Sequence, residues 1–561
     1  MANRDLVDTH ELEKLLYRID GRSYGGYKQL YRIMIDYDLA RGVFTKIQGD
    51  PYAKPSILEL HIPWRKHGFP DEFFKPEHII PFTDYIARYV AKVTRRLRRR
   101  CGSGNSCYIG IPTPGPCILK RSCVETQGET ILIRLFIGLP ASGRRILGDQ
   151  ARYVLIDAIR SLLLSVIDLN KRVTDIARHI VCYLEQEAIR KWLKKNDYLF
   201  FVVNNSILPR ESSISYKPKK DAVKFRSPKT LEKTIFLPSG RRVTGMAIPK
   251  GVIVITGGGY HGKTTLLKAL QEGIYNHIRG DGREYVVSRD KTIIVEAENG
   301  RLVWSVDISS FIKGLEEADT SNYTSLNASG TTSMAASLTE AIELGAEAIL
   351  IDEDTSATNL LFKDRVMEKI IHSDPIVPLS SQARSIVEKT GAGLVIVSSA
   401  SSAFLDKADH VVLMRKYVPF EITDEVKKIN SNYYGSTSID YNLPSKKRYF
   451  CGIKGLKKIR VKGYRLLADY INGETFELDL SKYNRIVEKT QVRFLAYIIR
   501  RIAYMGKPIE VNELAKYVDD AINKKGFEAF AKPVTPDLAM VTGFDVVWVL
   551  NRFYNSIFRQ E

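Results

Sequence analysis

The chain has 561 residues and a formal net charge of +20, with 84 Lys and Arg against 64 Asp and Glu. That length exceeds the size at which one hydrophobic core keeps growing, so two or more domains are expected. Residues 1–10 carry charges where a signal peptide needs an apolar block, and no run reaches the roughly 18 uncharged residues of a membrane span. Even the apolar stretch 153–169 contains Asp157, Arg160 and Asp168. A cytoplasmic protein with no membrane partner is expected.

Six cysteines are too sparse for a secreted disulfide scaffold. Cys101, Cys107, Cys117 and Cys123 lie close together without a C-x-x-C pair or a histidine among them. A zinc site, a disulfide and small apolar packing residues all remain open for them. The basic excess falls entirely outside residues 240–416, a stretch in which acidic residues slightly outnumber basic ones. Basic flanks around a near-neutral centre argue for a polyanionic partner held by the flanks.

In chain order, residues 11–17 suit a short helix, and Arg22, Tyr24, Tyr27 and Lys28 form a candidate patch in which rings stack on bases and cations neutralise phosphates. The helical pattern 82–93 runs into Arg95, Arg96, Arg98, Arg99 and Arg100, which read as a solvated helix end or as a phosphate-binding strip. Residues 102–106 resemble a phosphate loop without its lysine and read as a turn, with an auxiliary phosphate or RNA-backbone contact as the alternative. Residues 131–138 suit a strand, 155–193 helices, 198–203 a buried strand, and 212–220 a polar linker.

The centre carries the chemistry. The apolar run Val252, Ile253, Val254, Ile255 leads into Gly257, Gly258, Gly259, Tyr260, His261, Gly262, Lys263, Thr264 and Thr265, which fits G-x-x-x-x-G-K-[ST] between a strand and a helix. Glycines let backbone N–H groups turn inward around phosphate oxygens, and the following helix aims its positive end at the same anion. Lys263 would reach the β- and γ-phosphates of ATP, and the Thr264 hydroxyl would ligand Mg²⁺. Farther on, the apolar strand 348–351 ends in Asp352 and Glu353, an Mg²⁺-shell aspartate followed by a carboxylate placed to polarise the attacking water. Between them, Asn327 to Ser333 form a small-residue turn opening a helical stretch, 334–344. Phe225 and Phe236 precede the loop at spacings suited to an adenine-stacking ring or to the core.

After Tyr417 the pattern changes. Residues 421–443 read as a loop or extension. Lys446, Lys447, Arg448, Lys454, Lys457, Lys458, Arg460 and Lys462 interleave with Tyr449, Phe450, Gly452 and Gly455, which suits a β-hairpin along a nucleic-acid backbone. Residues 483–502 read as an amphipathic helix.

Taken in order, the loop at 257–265, the turn holding Ser329 and Gly330, the run from Asp352 to Asn359, and Leu394 to Ser399 followed by Ala408 and Asp409 resemble the motif series of ABC ATPases. Two positions depart from it. Ser399 stands where a switch histidine falls, and no Gln occurs between residues 272 and 381 to serve as a Q-loop, unless the carbonyls and carboxylates of 296–299 replace it. Slow turnover is expected for that reason. With the runs at 18–27, 48–51, 138–144, 208–210 and 275–284, these features resemble the family described as predicted ATPases of the ABC class, as far as about Tyr417. The resemblance implies an α/β fold with an ABC-type P-loop NTPase core at 240–416. Around it lie an α/β N-terminal domain at 1–211, a linker at 212–239 and a basic α+β extension at 417–561. It further implies a homodimer with two ATP molecules at the joint. Ser329 and Gly330 would then contact the γ-phosphate held by the other copy's Lys263, and Ser356 and Thr358 would line the interface. Glu353, Lys263 and Ser399 are the expected catalytic positions. The expected activity is ATP hydrolysis coupled to binding or remodelling nucleic acid, RNA favoured over DNA, through Arg95 to Arg100 and residues 446–458; the alternative is an ATP-dependent switch acting on a protein or ribonucleoprotein.

Overall fold

A computed structural model describes residues 4–212, 215–316, 318–371, 373–430 and 438–561. The chain divides into two compact units, Met1–Leu184 with Lys525–Met540, and Glu185–Lys524 with Val541–Glu561. Among the described residues no helix is long and apolar enough to cross a membrane.

The first unit is built on a mostly antiparallel sheet in the order Asp5–Asp8, Ile33–Asp36, Arg41–Lys46, Ser56–Pro63, Thr130–Ile137, Ile109–Gly110, with Val124–Gln127 also paired to Thr130–Ile137. Leu58, Leu60, Ile131, Ile133 and Leu135 from its two longest strands share one core with Phe82, Ile86 and Val90 of the helix Pro76–Leu97. That helix starts with Pro76, whose missing N–H costs nothing there, and stops where Arg98 turns extended. Asp84 lies on its buried face with a fully buried side chain. It accepts from Arg88 Nε at 2.7 Å, lies 3.1 Å from His179 Nε2 and pairs with Arg121. Burial pushes its carboxyl up, but the two guanidiniums and His179 outweigh that and hold it far below the usual carboxylate range.

One expectation for this region is overturned, one holds, and one open alternative is decided. Tyr24 and Tyr27 are buried, donating their hydroxyls to Leu139 O at 3.0 Å and Pro140 O at 2.7 Å, so they are not base-stacking rings. Residues 102–106 form a turn in which the Ser103 and Asn105 amides donate to Ala141 O and Pro51 O, each at 2.8 Å; those amides are committed to carbonyls rather than to a phosphate. Cys101 and Cys107 form a disulfide around that turn, while Cys117 and Cys123 are buried.

The second unit is organised by a six-stranded sheet, Thr292–Ile294, Ala348–Asp352, Gly393–Val397, Val252–Thr256, His410–Arg415, Val418–Glu421, parallel except for the last pair. Its central strands are near-continuous Val, Ile and Leu, as required when both faces are covered. Ile253, Ile255, Val395 and Val397 pack with Leu266, Leu267 and Leu270 of the helix Lys263–Glu272. A second sheet, Glu232–Phe236, Arg242–Pro249, Tyr198–Val203, Val286–Ser288, is antiparallel.

The C-terminal residues belong to this same unit, except for Lys525–Met540. The stretch 449–455 is not itself a hairpin; a basic hairpin forms just after it, from Leu456–Lys462 and Arg465–Tyr470. Arg448–Ile453 pairs with Ser556–Gln560 and Ile509–Glu510, and Leu456–Lys462 pairs with Arg465–Tyr470, which pairs with Thr475–Asp479. Residues 421–443 contain the helix Thr423–Asn430, with residues 431–437 outside the described set; residues 213 and 214 of the linker lie outside it too. The last amphipathic helix is Lys489–Ile502, opened by a capping box between Glu488 and Gln491.

Asp84→Asn leaves buried Arg121 and half-buried Arg88 without their counter-charge. It is expected to cost about 3–5 kcal/mol of local stability, read as faster hydrogen exchange along Pro76–Leu97. Because the folded carboxyl titrates below its unfolded value, the wild-type contribution is complete at neutral pH and erodes as pH falls through and below the ordinary carboxylate range. Unchanged exchange in the variant would remove Asp84 from this role.

Candidate functional site

The parallel strands Ala348–Asp352, Gly393–Val397, Val252–Thr256 and His410–Arg415 all end at one edge, the side on which open α/β sheets hold ligands. There the chain turns through residues 257–262 into the helix Lys263–Glu272. Gly257 has φ +137°, and a Cβ on it would lie 2.3 Å from Met414 O, so only glycine fits this approach. Gly262 has φ +95°, and Gly258 and Gly259 are exposed. Tyr260 adopts φ +61° with a side chain 97% exposed, and His261 Nδ1 sits 3.2 Å from Met414 O. Lys263 Nζ donates to Gly257 O at 2.7 Å and Gly258 O at 2.8 Å, which places the ammonium inside the loop. Thr265 follows on the first helical turn.

Thr264 Oγ1 donates to Asp352 Oδ2 at 2.8 Å past the end of Gly393–Val397, the one strand between the loop strand and that of Asp352. A hydroxyl and a carboxylate oxygen side by side beside a phosphate loop fit Mg²⁺, which takes few protein ligands and shares the rest with phosphates and water. No cluster of three or more His, Cys, Asp or Glu able to hold a metal alone occurs among the described residues.

Glu353 follows Asp352. Its Oε2 accepts from Ser398 Oγ at 3.0 Å, Ser399 N at 2.7 Å and Ala400 N at 3.2 Å. The strand Gly393–Val397 lies between the Asp352 strand and the loop strand, so the turn at its end is what fixes this carboxylate. Ser399 takes part through its backbone amide; the hydroxyl in the constellation is that of Ser398. Nothing in the spacing distinguishes these neighbours in sequence.

Ser329 caps the helix Gly330–Glu343, accepting from Thr332 N at 3.2 Å, and is itself exposed. An exposed helix N-terminus of this length suits an anion. Gly330 abuts Asn299, Thr331 Oγ1 donates to Asn359 Oδ1 at 2.9 Å, and Ser356 Oγ donates to Asp352 O at 2.7 Å, so the turn is tied to the run after Glu353. Residues 296–299 lie beside both: Ala297 N donates to Thr355 O at 2.9 Å and Glu298 N to Ser333 Oγ at 3.0 Å. Burial raises the Glu296 carboxyl above its usual range.

Behind the turn lies a network that sequence reading missed. Arg552 Nε donates to Glu298 Oε2 at 3.0 Å and Arg552 Nη2 to Ser337 Oγ at 3.1 Å, while Arg301 pairs with Glu340 and Ser337. Burial pushes the Glu298 carboxyl up, but Arg552 and Arg301 outweigh it and hold it low. The C-terminal segment thereby braces the Gly330–Glu343 helix; partners some 250 residues apart leave no local pattern to read.

The basic candidates separate. Arg95, Arg96, Arg98, Arg99 and Arg100 are exposed, with Arg98 over the Tyr108 ring at 4.3 Å and Arg99 over Tyr153 at 3.8 Å. Lys446, Lys447, Lys457 and Lys458 are exposed as well. Arg448 is not a surface cation: it is 2% exposed and donates through Nε to Glu343 Oε2 at 3.1 Å, so its charge is spent inside the unit. Phe225 is buried in the core, whereas Phe236 is 75% exposed.

Residues 172–447 match the family model described as ABC_ATPase, P-loop domain, and residues 9–168 match that described as ATPase of the ABC class N-terminal. The chain carries the domains of an ABC-class P-loop ATPase. Residues 460–558 of this ABC-class chain match the MRB1590 C-terminal domain. It is also 35% identical over 200 residues to "Uncharacterized protein MJ1628" of Methanocaldococcus jannaschii, an alignment covering 33% of this chain and 43% of that relative, so the chain spans less than half of the relative's length. The matched models account for the α/β P-loop core flanked by N- and C-terminal domains.

The three donors on Glu353 set a test within this ATPase core. Ser398→Ala removes one of them and is expected to lower kcat about 10-fold with little change in KM, whereas Ser399→Ala, which keeps its amide, should stay within about twofold of wild type. The opposite ranking in steady-state hydrolysis would assign the role to the Ser399 hydroxyl.

Proposed function

We propose that the chain binds ATP with Mg²⁺ and hydrolyses it as a homodimer, and that this cycle controls binding or remodelling of nucleic acid, RNA in preference to DNA, in the cytoplasm and away from membranes. The observation that carries the hydrolytic part is the convergence, at one sheet edge, of the Lys263 loop, the Thr264–Asp352 oxygen pair and a Glu353 carboxylate fixed by three donors. The loop amides and Lys263 would cradle the triphosphate, with Thr264 and Asp352 holding Mg²⁺, whose charge offsets that of the phosphates. Glu353 would accept a hydrogen bond from the attacking water and orient it in line with the γ-phosphate. Ser329 and the first turn of the Gly330–Glu343 helix would meet the γ-phosphate bound by the partner copy, with Ser356 and Thr358 at the joint. Exposed Arg95, Arg96, Arg98, Arg99 and Arg100, with Lys446, Lys447, Lys457 and Lys458, support the polyanion reading.

Glu353→Gln is expected to bind ATP and accumulate as a dimer in sedimentation experiments with Mg²⁺, while Lys263→Ala remains monomeric under the same conditions. Affinity of the wild type for a single-stranded RNA pool should fall steeply between low and physiological salt, because each phosphate contact releases counterions. Replacing the five arginines by glutamine should weaken RNA binding and leave ATP binding intact. RNA affinity indifferent to salt would contradict the polyanion reading, and a Glu353→Gln protein that stays monomeric with ATP would contradict the dimer.

A further inference from the structure

The sheet order places the catalytic carboxylate and the other edge of the phosphate loop on opposite sides of the loop strand. Glu353 and its donors follow the strands on one side of Val252–Thr256, and the strand on the other side is His410–Arg415. A nucleotide whose γ-phosphate points to Glu353 must therefore extend its sugar and base toward the end of His410–Arg415. That strand ends in the two-residue turn Lys416, Tyr417 before the antiparallel strand Val418–Glu421.

Tyr417 is the aromatic of this turn; the other exposed ring nearby, Tyr260, belongs to the loop itself. A Cβ built on Gly262 would lie 3.1 Å from Tyr417 Cδ1 and 3.9 Å from its Cα, so the ring lies directly against the last glycine of the phosphate loop. The residue is 54% exposed, which leaves much of its surface available. Lys416 and Tyr417 both adopt the left-handed region, with φ +47° and +68°, as the two central residues of a two-residue hairpin turn do. Met414, in the same strand, fixes the turn to the loop through its carbonyl, which meets both Gly257 and His261. Of the aromatics preceding the loop, Phe225 is buried in the core; Phe236, on the edge strand Glu232–Phe236, is exposed, but the loop contact in the structure is made by Tyr417.

We infer that Tyr417 is the base-contacting residue of the nucleotide site, its ring stacking on the purine. This rests on the ATP-binding reading above, and it puts the base pocket C-terminal to the phosphate loop in sequence. Every nucleobase has a π-face, so the contact contributes affinity for the nucleoside part and none for the phosphates.

Binding of ATP and of inorganic tripolyphosphate, each with Mg²⁺, to the full chain and to Tyr417→Ala and Tyr417→Phe tests it by calorimetry. Tyr417→Ala is expected to weaken ATP on the order of 10-fold to 100-fold, to leave tripolyphosphate unchanged, and to be rescued by Tyr417→Phe. Unaltered ATP affinity in Tyr417→Ala overturns the assignment while leaving the phosphate site standing. Equal loss of both ligands makes Tyr417 a support of the loop rather than a base contact and equally overturns it. Wild type that binds neither ligand overturns the ATP-binding reading itself.

Discussion

The position of one strand governs the rest of the site. Val252–Thr256 lies between Gly393–Val397 and His410–Arg415, buried on both faces, and its parallel register with each sets which loops meet at its end. Gly393–Val397 lies between the loop strand and the Asp352 strand, and Thr264 reaches Asp352 past its end. That strand also brings a third turn, carrying Ser398 and the Ser399 amide, against Glu353. Ile253 and Ile255 of Val252–Thr256 pack against Leu266, Leu267 and Leu270 of Lys263–Glu272, so the same core holds both ends of the loop. The chemistry therefore depends on hydrophobic packing that touches no ligand.

The second constraint is electrostatic and ties distant parts of the second unit together. Arg552 comes from the extreme C-terminal segment and Arg301 from the strand Arg301–Val306; both reach Ser337 and Glu340 of the helix that Ser329 caps, and Arg552 also holds Glu298. Removing one partner from such a buried network leaves an uncompensated charge, so the network holds the helix in one place. Trp304 Nε1 donating to Phe553 O at 3.0 Å and Arg448 donating to Glu343 extend the same bracing.

What was legible in sequence was local. The apolar run before Gly257, the glycine spacing, Lys263, Thr264 and the paired carboxylates at 352 and 353 need only a strand, a turn and a helix in succession, and the chain supplies them in order. The strands Tyr198–Val203 and Thr130–Ile137 and the helix Pro76–Leu97 were similarly readable from periodicity. Burial was not readable where polar groups are satisfied by distant partners. Tyr24, Tyr27 and Arg448 looked like surface ligands for nucleic acid because their partners, Leu139, Pro140 and Glu343, lie about a hundred residues away. The choice between Ser398 and Ser399 depended on the direction of a turn, and the contact of Tyr417 with Gly262 on a sheet order that no spacing encodes.

The central claim is that the loop edge hydrolyses ATP and that the basic flanks make this responsive to RNA. The most direct measurement is steady-state phosphate release by the full chain with Mg²⁺ at low salt, with and without a mixed single-stranded RNA pool, beside Glu353→Gln. The account predicts slow turnover in the wild type that RNA changes, and loss of turnover in the variant in both conditions. Hydrolysis that proceeds equally in Glu353→Gln would contradict the catalytic assignment, and wild-type turnover identical with and without RNA would contradict the coupling.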